Sequence, residues 1–226
     1  MAKGFTETGT FYFYNKKKQS IPIVFIHGVG LTYEIWQPQL DYFNEYSTLS
    51  YDILGHGKSK LEKEIITFDD FSNQLITLID ELKIDKIHLV GFSIGSLIAR
   101  DFASKHNERL QSLILLGSIF KRTDEQQKIV NERYNQAKKQ MKLSKQALKR
   151  WFTDEYLKKN PNTYEKISTI LSANNMENFL KVYELFVFHK NNENFDKIKV
   201  NTLVMTGEYD VGSTIQMSQE LNRIIK

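Results

Sequence analysis

Short, continuous apolar segments alternate with amphipathic helical patterns along most of the chain. The segments at 21–26, 87–92, 113–116 and 202–205 have the length and composition of strands that are buried on both faces. Between them, apolar residues recur at spacings of three and four, most clearly over 68–82, which predicts helices. Strands that alternate with helices favour an α/β fold with a mostly parallel sheet.

Further elements are predicted around these segments. Composition and spacing favour strands at 10–14 and 48–51, a short helix at 34–43 and a helix that starts at Ile94. Thr67 and Asp70 have the spacing of a capping box at the start of the 68–82 helix.

Residues 121–190 interrupt the alternation of strands and helices. They hold no strand-like segment, but two apolar stripes at helical spacing predict an all-helical insertion between core segments 1–120 and 191–226. The stripes are Val130, Tyr134, Ala137 and Met141, and then Phe179, Leu180, Tyr183, Phe186 and Val187.

The insertion also carries the basic excess of the chain. It has 15 Lys and Arg against 8 Asp and Glu, whereas the net charge of the whole chain is +4. Lys138, Lys142, Lys145 and Lys149 would share one face of a continuous helix. We interpret this face as solvated, in preference to a contact with nucleic acid or an anionic membrane.

Composition excludes several classes of protein and predicts a location. The chain has no Cys, so disulfide scaffolds, thiol nucleophiles and Cys-ligated metal sites are excluded. No apolar run approaches the roughly 20 residues that span a bilayer, and the first residues lack the apolar core of a signal peptide. We therefore expect a cytoplasmic protein without a metal or cofactor.

The turn from Gly91 to Gly95, with Ser93 at its centre, carries the strongest chemical signal. It has the pattern G-x-S-x-G, with a predicted strand before it and a predicted helix after it. Such a turn strains the serine backbone and presents the hydroxyl at the C-terminal edge of the sheet. Only small residues two positions away avoid a clash. The helix N-terminus beneath the serine favours developing negative charge. These features predict that Ser93 is a nucleophile.

A glycine-rich loop, His27-Gly28-Val29-Gly30, follows the strand that ends at Ile26. Glycines at these positions let backbone N–H groups come close to a ligand oxygen. The N–H of Val29, paired with that of Ile94, would form an oxyanion hole.

Four motifs in order resemble the α/β-hydrolase superfamily, in its serine-nucleophile branch. They are HGVG at 27–30, DILGHGKS at 52–59, GFSIG at 91–95 and GEYD at 207–210. The resemblance implies a three-layer α/β/α fold in which Ser93 is the nucleophile, Val29 and Ile94 are oxyanion donors, Asp210 is the triad acid and 121–190 form a lid. The stretches 149–155 and 207–213 are further similar to 3-oxoadipate enol-lactonases and related small esterases.

Asp210 has independent support, and Glu208 is its rival. A carboxylate at the tip of a loop after a buried strand can reach across the sheet edge to orient a histidine. In the superfamily that histidine follows the acid after one more strand. Here none of the 16 residues after Asp210 is histidine. We therefore expect the chain to stop before the last strand, the histidine loop and the C-terminal helix.

The five histidines that are present are predicted to be structural rather than catalytic. They are His27, His56, His88, His106 and His189. A serine without a positioned base is a poor nucleophile, so residues 1–226 are expected to turn over slowly.

These residues favour a hydrolase of small carboxylic esters or lactones that forms an acyl-enzyme on Ser93. Two alternatives remain open: a ligand-binding pseudoenzyme of the same fold, and a carbon–carbon bond hydrolase with the same triad. Residues 52–59 miss the phosphate-loop pattern by one position, where Asp52 replaces a glycine and would repel phosphate. Trp151 and the 179–187 stripe could line a substrate pocket or pack as core, and packing is predicted for most of these residues.

Overall fold

The computed structural model describes residues 2–18, 20–141 and 146–225, without the side chains of residues 146, 147 and 149. Within these residues seven strands form one sheet in the order β1-β2-β4-β3-β5-β6-β7. The strands are β1 (Ala2–Phe5), β2 (Phe11–Asn15), β3 (Ile23–Ile26), β4 (Thr48–Tyr51), β5 (Ile87–Phe92), β6 (Leu110–Leu116) and β7 (Thr202–Met205).

The five strands β4, β3, β5, β6 and β7 run parallel to one another in the sheet. Strand β2 pairs antiparallel with both β1 and β4. The prediction of a mostly parallel α/β sheet is confirmed.

Helices connect most of the strands along the chain. They are α1 (Gln37–Tyr42), α2 (Phe68–Glu81), α3 (Ile94–Lys105), α4 (Asp124–Gln140), α5 (Gln146–Trp151), α6 (Asp154–Lys159), α7 (Pro161–Ser172), α8 (Met176–Val187) and α9 (Ile215–Ile224). The predicted capping box of Thr67 and Asp70 is present at the start of α2.

Alternate residues of the central strands face two separate layers of helices. Val24 and Ile26 belong to the core that α2, α3 and α9 cover. Phe25 between them packs with Trp36 and Leu40 on the opposite face of the sheet, where α1 lies. Because side chains alternate along a strand, a strand covered on both faces must be apolar throughout, as β3 is.

Several boundaries differ from the sequence-based expectation. The predicted helix at 34–43 begins as a 3-10 turn, Tyr33–Trp36, and becomes α1 only where Pro38 occupies its first turn. Strand β1 was not predicted, since it is largely exposed and has little apolar character. Met141 was expected in an apolar stripe but follows α4 in a left-handed conformation with 48% of its surface exposed, so that expectation is wrong.

Among the described residues, five helices, α4 to α8, lie between β6 and β7. Helices α4 and α8 share an apolar cluster that contains Val130, Tyr134, Phe179 and Leu180.

Of the predicted lysine face, Lys138 is exposed. Lys142, Lys145 and the side chain of Lys149 lie outside the described residues. In the described part of the chain, no helix combines the length and apolar character that a bilayer crossing needs.

Strand β7 forms one edge of the sheet among the described residues. It pairs with β6 on one side, and Leu203 and Met205 are 52% and 48% exposed. An apolar strand with an unpaired edge is a site of association with other strands.

Candidate active site

Ser93 lies in a sharp turn between β5 and α3. Its backbone has φ +56° and ψ −120°, a conformation that costs a non-glycine residue about 1–3 kcal/mol. The surrounding structure holds it there, because the Ser93 N–H donates to the Leu116 carbonyl at 2.9 Å and its own carbonyl accepts from the Ser96 N–H at 2.9 Å. The strain presents the hydroxyl at the end of the strand instead of along it.

The glycines on either side of Ser93 are required by backbone contacts. A Cβ atom at Gly91 would lie 2.2 Å from the Gly95 carbonyl oxygen, and one at Gly95 would lie 2.5 Å from the Ile26 carbonyl oxygen. Neither partner is the end of a flexible side chain, so neither can move aside cheaply. This contact is the physical reason for both glycines of the G-x-S-x-G pattern.

The glycine-rich loop after β3 lies beside Ser93, because Ile26 pairs in register with Gly91. A Cβ atom at Gly28 would lie 3.3 Å from the Ser93 Cβ, which shows how closely the loop approaches. In the described part of the chain, no hydrogen bond is made by the N–H of Val29 or of Ile94. Both predicted oxyanion donors are therefore unengaged next to Ser93.

Two buried histidines hold the glycine-rich loop at 27–30 in place through hydrogen bonds. The His56 Nε2 accepts the Gly30 N–H at 2.8 Å, and the His27 Nε2 accepts the Ile53 N–H at 3.1 Å. Burial lowers the pKa of His27 to about 3, helped by the charge of His56, and burial lowers the pKa of His56 to about 4. Both rings are thus neutral acceptors, which is the form that the loop requires.

We expect acid to destabilise the protein through these two rings. The unfolded chain protonates both histidines below pH 6.5, whereas the folded protein keeps them neutral to about pH 4. Each ring should therefore lower the free energy of unfolding by about 1.4 kcal/mol per pH unit below 6.5. Urea unfolding of the wild type and of His56→Gln between about pH 7 and pH 5 measures the effect, since the variant lacks one titrating group.

The Asp52 carboxyl has the opposite effect on stability as the pH falls, and it is present in both the wild type and His56→Gln. Burial raises the pKa of its carboxyl to about 6, so the folded state binds that proton first and gains stability as the pH falls below 6. Its contribution cancels in the difference between wild type and His56→Gln. An identical pH dependence in the two proteins would contradict the role given to His56.

The Asp52 carboxylate also fills the loop that resembles a phosphate-binding loop. It accepts the N–H groups of Tyr33 at 2.8 Å and Lys58 at 2.9 Å. A Cβ atom at Gly57 would lie 2.2 Å from one of its oxygens. The next helix, α2, begins only at Phe68. The loop is closed around its own carboxylate, which disfavours nucleotide binding there.

Asp210 lies in the loop after β7, at the same edge of the sheet as Ser93. One carboxylate oxygen accepts the N–H groups of Gly212 and Ser213 at 2.8 and 2.9 Å, and the other accepts the Ser213 hydroxyl at 2.7 Å. Its rival Glu208 is exposed and does not line the cavity that contains Ser93. The structure therefore favours Asp210 as the carboxylate of the site.

Ser93 and Asp210 line one cavity of about 320 Å³. Gly28 and Val29 contribute to its wall from the loop after β3, and the helices between β6 and β7 contribute most of the other lining residues. Such a volume lies at the lower end of the range for small-molecule sites, roughly 300–1,000 Å³. The described residues contain no cluster of His, Asp and Glu side chains that would hold a metal ion.

The cavity includes side chains for which packing was expected, and others for which no role was predicted. Trp151, Phe179, Tyr183 and Phe186 line it, so the expectation that most of these side chains only pack is wrong. Arg122, Arg133 and Arg150 also line it. Arg122 precedes α4, Arg133 lies on α4 and Arg150 lies on α5. Arg150 is part of the stretch 149–155 noted for its similarity to enol-lactonases, but the sequence predicted no role for any of the three.

None of the five histidines serves Ser93. His88 bonds to Ser112 at 2.7 Å in the sheet, His106 follows α3, and His189 pairs with Glu193 at 3.0 Å. The bonds of His27 and His56 hold the glycine-rich loop. No histidine lines the cavity or hydrogen-bonds to Ser93 in the described part of the chain.

The chain belongs to the alpha/beta hydrolase fold family, whose model matches residues 21–226. Among curated relatives, it is 28% identical over 214 residues to an (E)-2-((N-methylformamido)methylene)succinate hydrolase of Acinetobacter baylyi, covering 92% of this chain and 80% of the relative. It is 25% identical over 200 residues to 3-oxoadipate enol-lactonase 2 of the same organism, covering 88% and 75%.

Solved structures share the fold. An enol-lactonase from Burkholderia xenovorans superposes with a TM-score of 0.81 at 22% identity, covering 99% of this chain and 87% of the other. A thermophilic esterase from Thermogutta terrifontis superposes with a TM-score of 0.82 at 20% identity, covering 99% and 86%. Both curated relatives named here are hydrolases, and the resemblance of this chain to enol-lactonase-like members is confirmed.

Proposed function

We propose that this protein hydrolyses a small carboxylic ester or lactone through an acyl-enzyme on Ser93. One observation carries the proposal: the strained Ser93 lies beside the unengaged N–H groups of Val29 and Ile94, in a cavity that it shares with Asp210. The activities for which the relatives are named, an enol-lactonase and a succinate-derivative hydrolase, agree with it.

The mechanism follows from these groups. The Ser93 oxygen attacks the carbonyl carbon while a base takes the hydroxyl proton, and the N–H groups of Val29 and Ile94 bind the resulting oxyanion. The bond to the alkoxy oxygen then breaks, and that oxygen receives the proton as alcohol or opened lactone. Water attacks the acyl-serine in the same way and releases the acid.

Asp210 orients the base in this proposal, as the carboxylate does in other serine hydrolases. A histidine is the base expected for such a carboxylate, but none of the five histidines in residues 1–226 contacts Ser93. Residues 1–226 should therefore turn over slowly, because both the attack of Ser93 and the later attack of water on the acyl-serine need that base. Residues 121–190 act as the lid over core segments 1–120 and 191–226 and select the substrate.

Chemical rescue with imidazole tests this function. Hydrolysis of small phenyl esters and of a lactone series by residues 1–226 should be slow, should rise with added imidazole and should be absent in Ser93→Ala beyond the rate of imidazole alone. A wild-type rate equal to that of Ser93→Ala at every imidazole concentration would favour a ligand-binding pseudoenzyme.

A further inference from the structure

We propose that Arg122, Arg133 and Arg150 form a carboxylate-binding subsite, so that the ester or lactone substrate also carries a free carboxylate. The inference rests on the proposed function, because it takes Ser93 as the reacting residue. It adds the chemical class of the substrate and the residues that select it.

Arg122 is held in a fixed position at the cavity wall. Its Nη1 donates to the carbonyls of Phe186 at 3.1 Å and Val187 at 3.0 Å, and its guanidinium lies 4.7 Å from the centre of the Phe186 ring. Its Nη2 is buried without a hydrogen-bond partner among the described residues. A guanidinium has five N–H donors, so this one keeps donor capacity for a ligand.

Arg133 and Arg150 line the same cavity from α4 and α5. Across the described ranges, none of the three arginines forms an ion pair with a carboxylate. Burial and the charge of Arg133 together lower the pKa of Arg150. Burial raises the pKa of Tyr183, and the positive charges of all three arginines oppose that increase. Arg133 and Arg150 are therefore close enough to influence each other, and all three guanidinium groups act on the same phenol.

The positive charges of the three arginines favour the binding of an anion in the cavity. Like charges around one cavity repel one another, although Arg133 is only half-buried and Arg150 is exposed. A bound carboxylate relieves this repulsion and accepts from the unused donors. The one acidic side chain that lines the cavity among the described residues, Asp210, is engaged by its own loop at both oxygens. The protein itself thus leaves the position opposite the arginines open.

The placement of the charges defines the shape of the substrate. Ser93 lies at the edge of the sheet, whereas Arg133 and Arg150 belong to the helices between β6 and β7. A ligand with its reacting carbonyl at Ser93 reaches the arginines with its other end. Within about 320 Å³, half-esters of short dicarboxylic acids and lactones with a carboxylate side group meet this requirement.

Calorimetric titration tests the subsite without requiring turnover. The protein is the Ser93→Ala variant, and the ligands are monomethyl glutarate and dimethyl glutarate, which differ by one negative charge. We expect the monoanion to bind about tenfold tighter or more. Arg133→Gln and Arg150→Gln, each added to Ser93→Ala, should remove most of that preference, because the affinity for the monoanion falls far more than the affinity for the dimethyl ester.

Arg223→Gln is the matched control, because Arg223 is exposed on α9 and does not line the cavity. It should leave both affinities unchanged. Arg122 is left intact in these variants, since its replacement would also remove two hydrogen bonds to backbone carbonyls.

Three results would overturn the subsite: equal affinity for the two ligands, no binding of either at millimolar concentration, or an equal loss of both in the arginine variants. The proposed function fails by a different result, the lack of ester cleavage that depends on Ser93. A protein that prefers the monoanion but lacks such cleavage would keep the subsite and lose the proposed function.

Discussion

A C-terminal segment from a related hydrolase, with a strand, a histidine loop and a helix, should raise the ester-hydrolysis rate of residues 1–226 by about 10²- to 10⁴-fold when appended. Ser93 has no histidine partner among the five present, and the Asp210 loop lies at the edge where an incoming histidine would meet it. The added strand would also pair with the open edge of β7 and cover Leu203 and Met205, which should reduce self-association.

Two substitutions, made in residues 1–226 with the C-terminal segment appended (the extended protein), test which carboxylate orients the histidine. Asp210→Asn should lower kcat by about 10⁴-fold, because an amide orients the wrong histidine tautomer. Glu208→Gln, two residues away and outside the cavity, should change kcat little. Steady-state kinetics on one ester gives both values. An extended protein no faster than residues 1–226, or an unextended protein inactivated by replacing one of its five histidines, would contradict this assignment.

The second large effect is expected on stability. Gly91→Ala should lower the free energy of unfolding by about 3 kcal/mol or more, because the new Cβ would lie 2.2 Å from the Gly95 carbonyl oxygen. Gly207→Ala is the control, since a Cβ there meets nothing within 4 Å. Urea unfolding of both variants measures the difference. Equal stability of the two would show that the turn around Ser93 relaxes without cost.

The strands of the sheet could be predicted where local composition determined them. Strands β4, β5 and β7 have the predicted bounds, because a short apolar run between polar residues is a local feature of the sequence. Strand β1 was missed for the opposite reason: its residues are mostly exposed, and pairing with β2 rather than side-chain burial makes it a strand.

Some parts of the candidate site could be predicted from local sequence, and others could not. The turn at Ser93 and the loop at Gly28 could be predicted, because each is a contiguous motif. The glycines in both are needed because neighbouring atoms leave little room for a Cβ atom. Arg122, Arg133 and Arg150 could not, because they meet only when the helices fold over the sheet. No periodic pattern distinguishes them from the other basic residues of 121–190.

Detection of an acyl group on Ser93 tests the central claim most directly. Residues 1–226 are incubated with p-nitrophenyl acetate, quenched in acid, digested and analysed by tandem mass spectrometry. Without a positioned base, deacylation should be slow, so the acetyl ester should accumulate on Ser93 and be missing from the same peptide of Ser93→Ala. If Ser93 stays unmodified while lysines or tyrosines are acetylated to the same extent in both proteins, the account of Ser93 as the nucleophile is wrong.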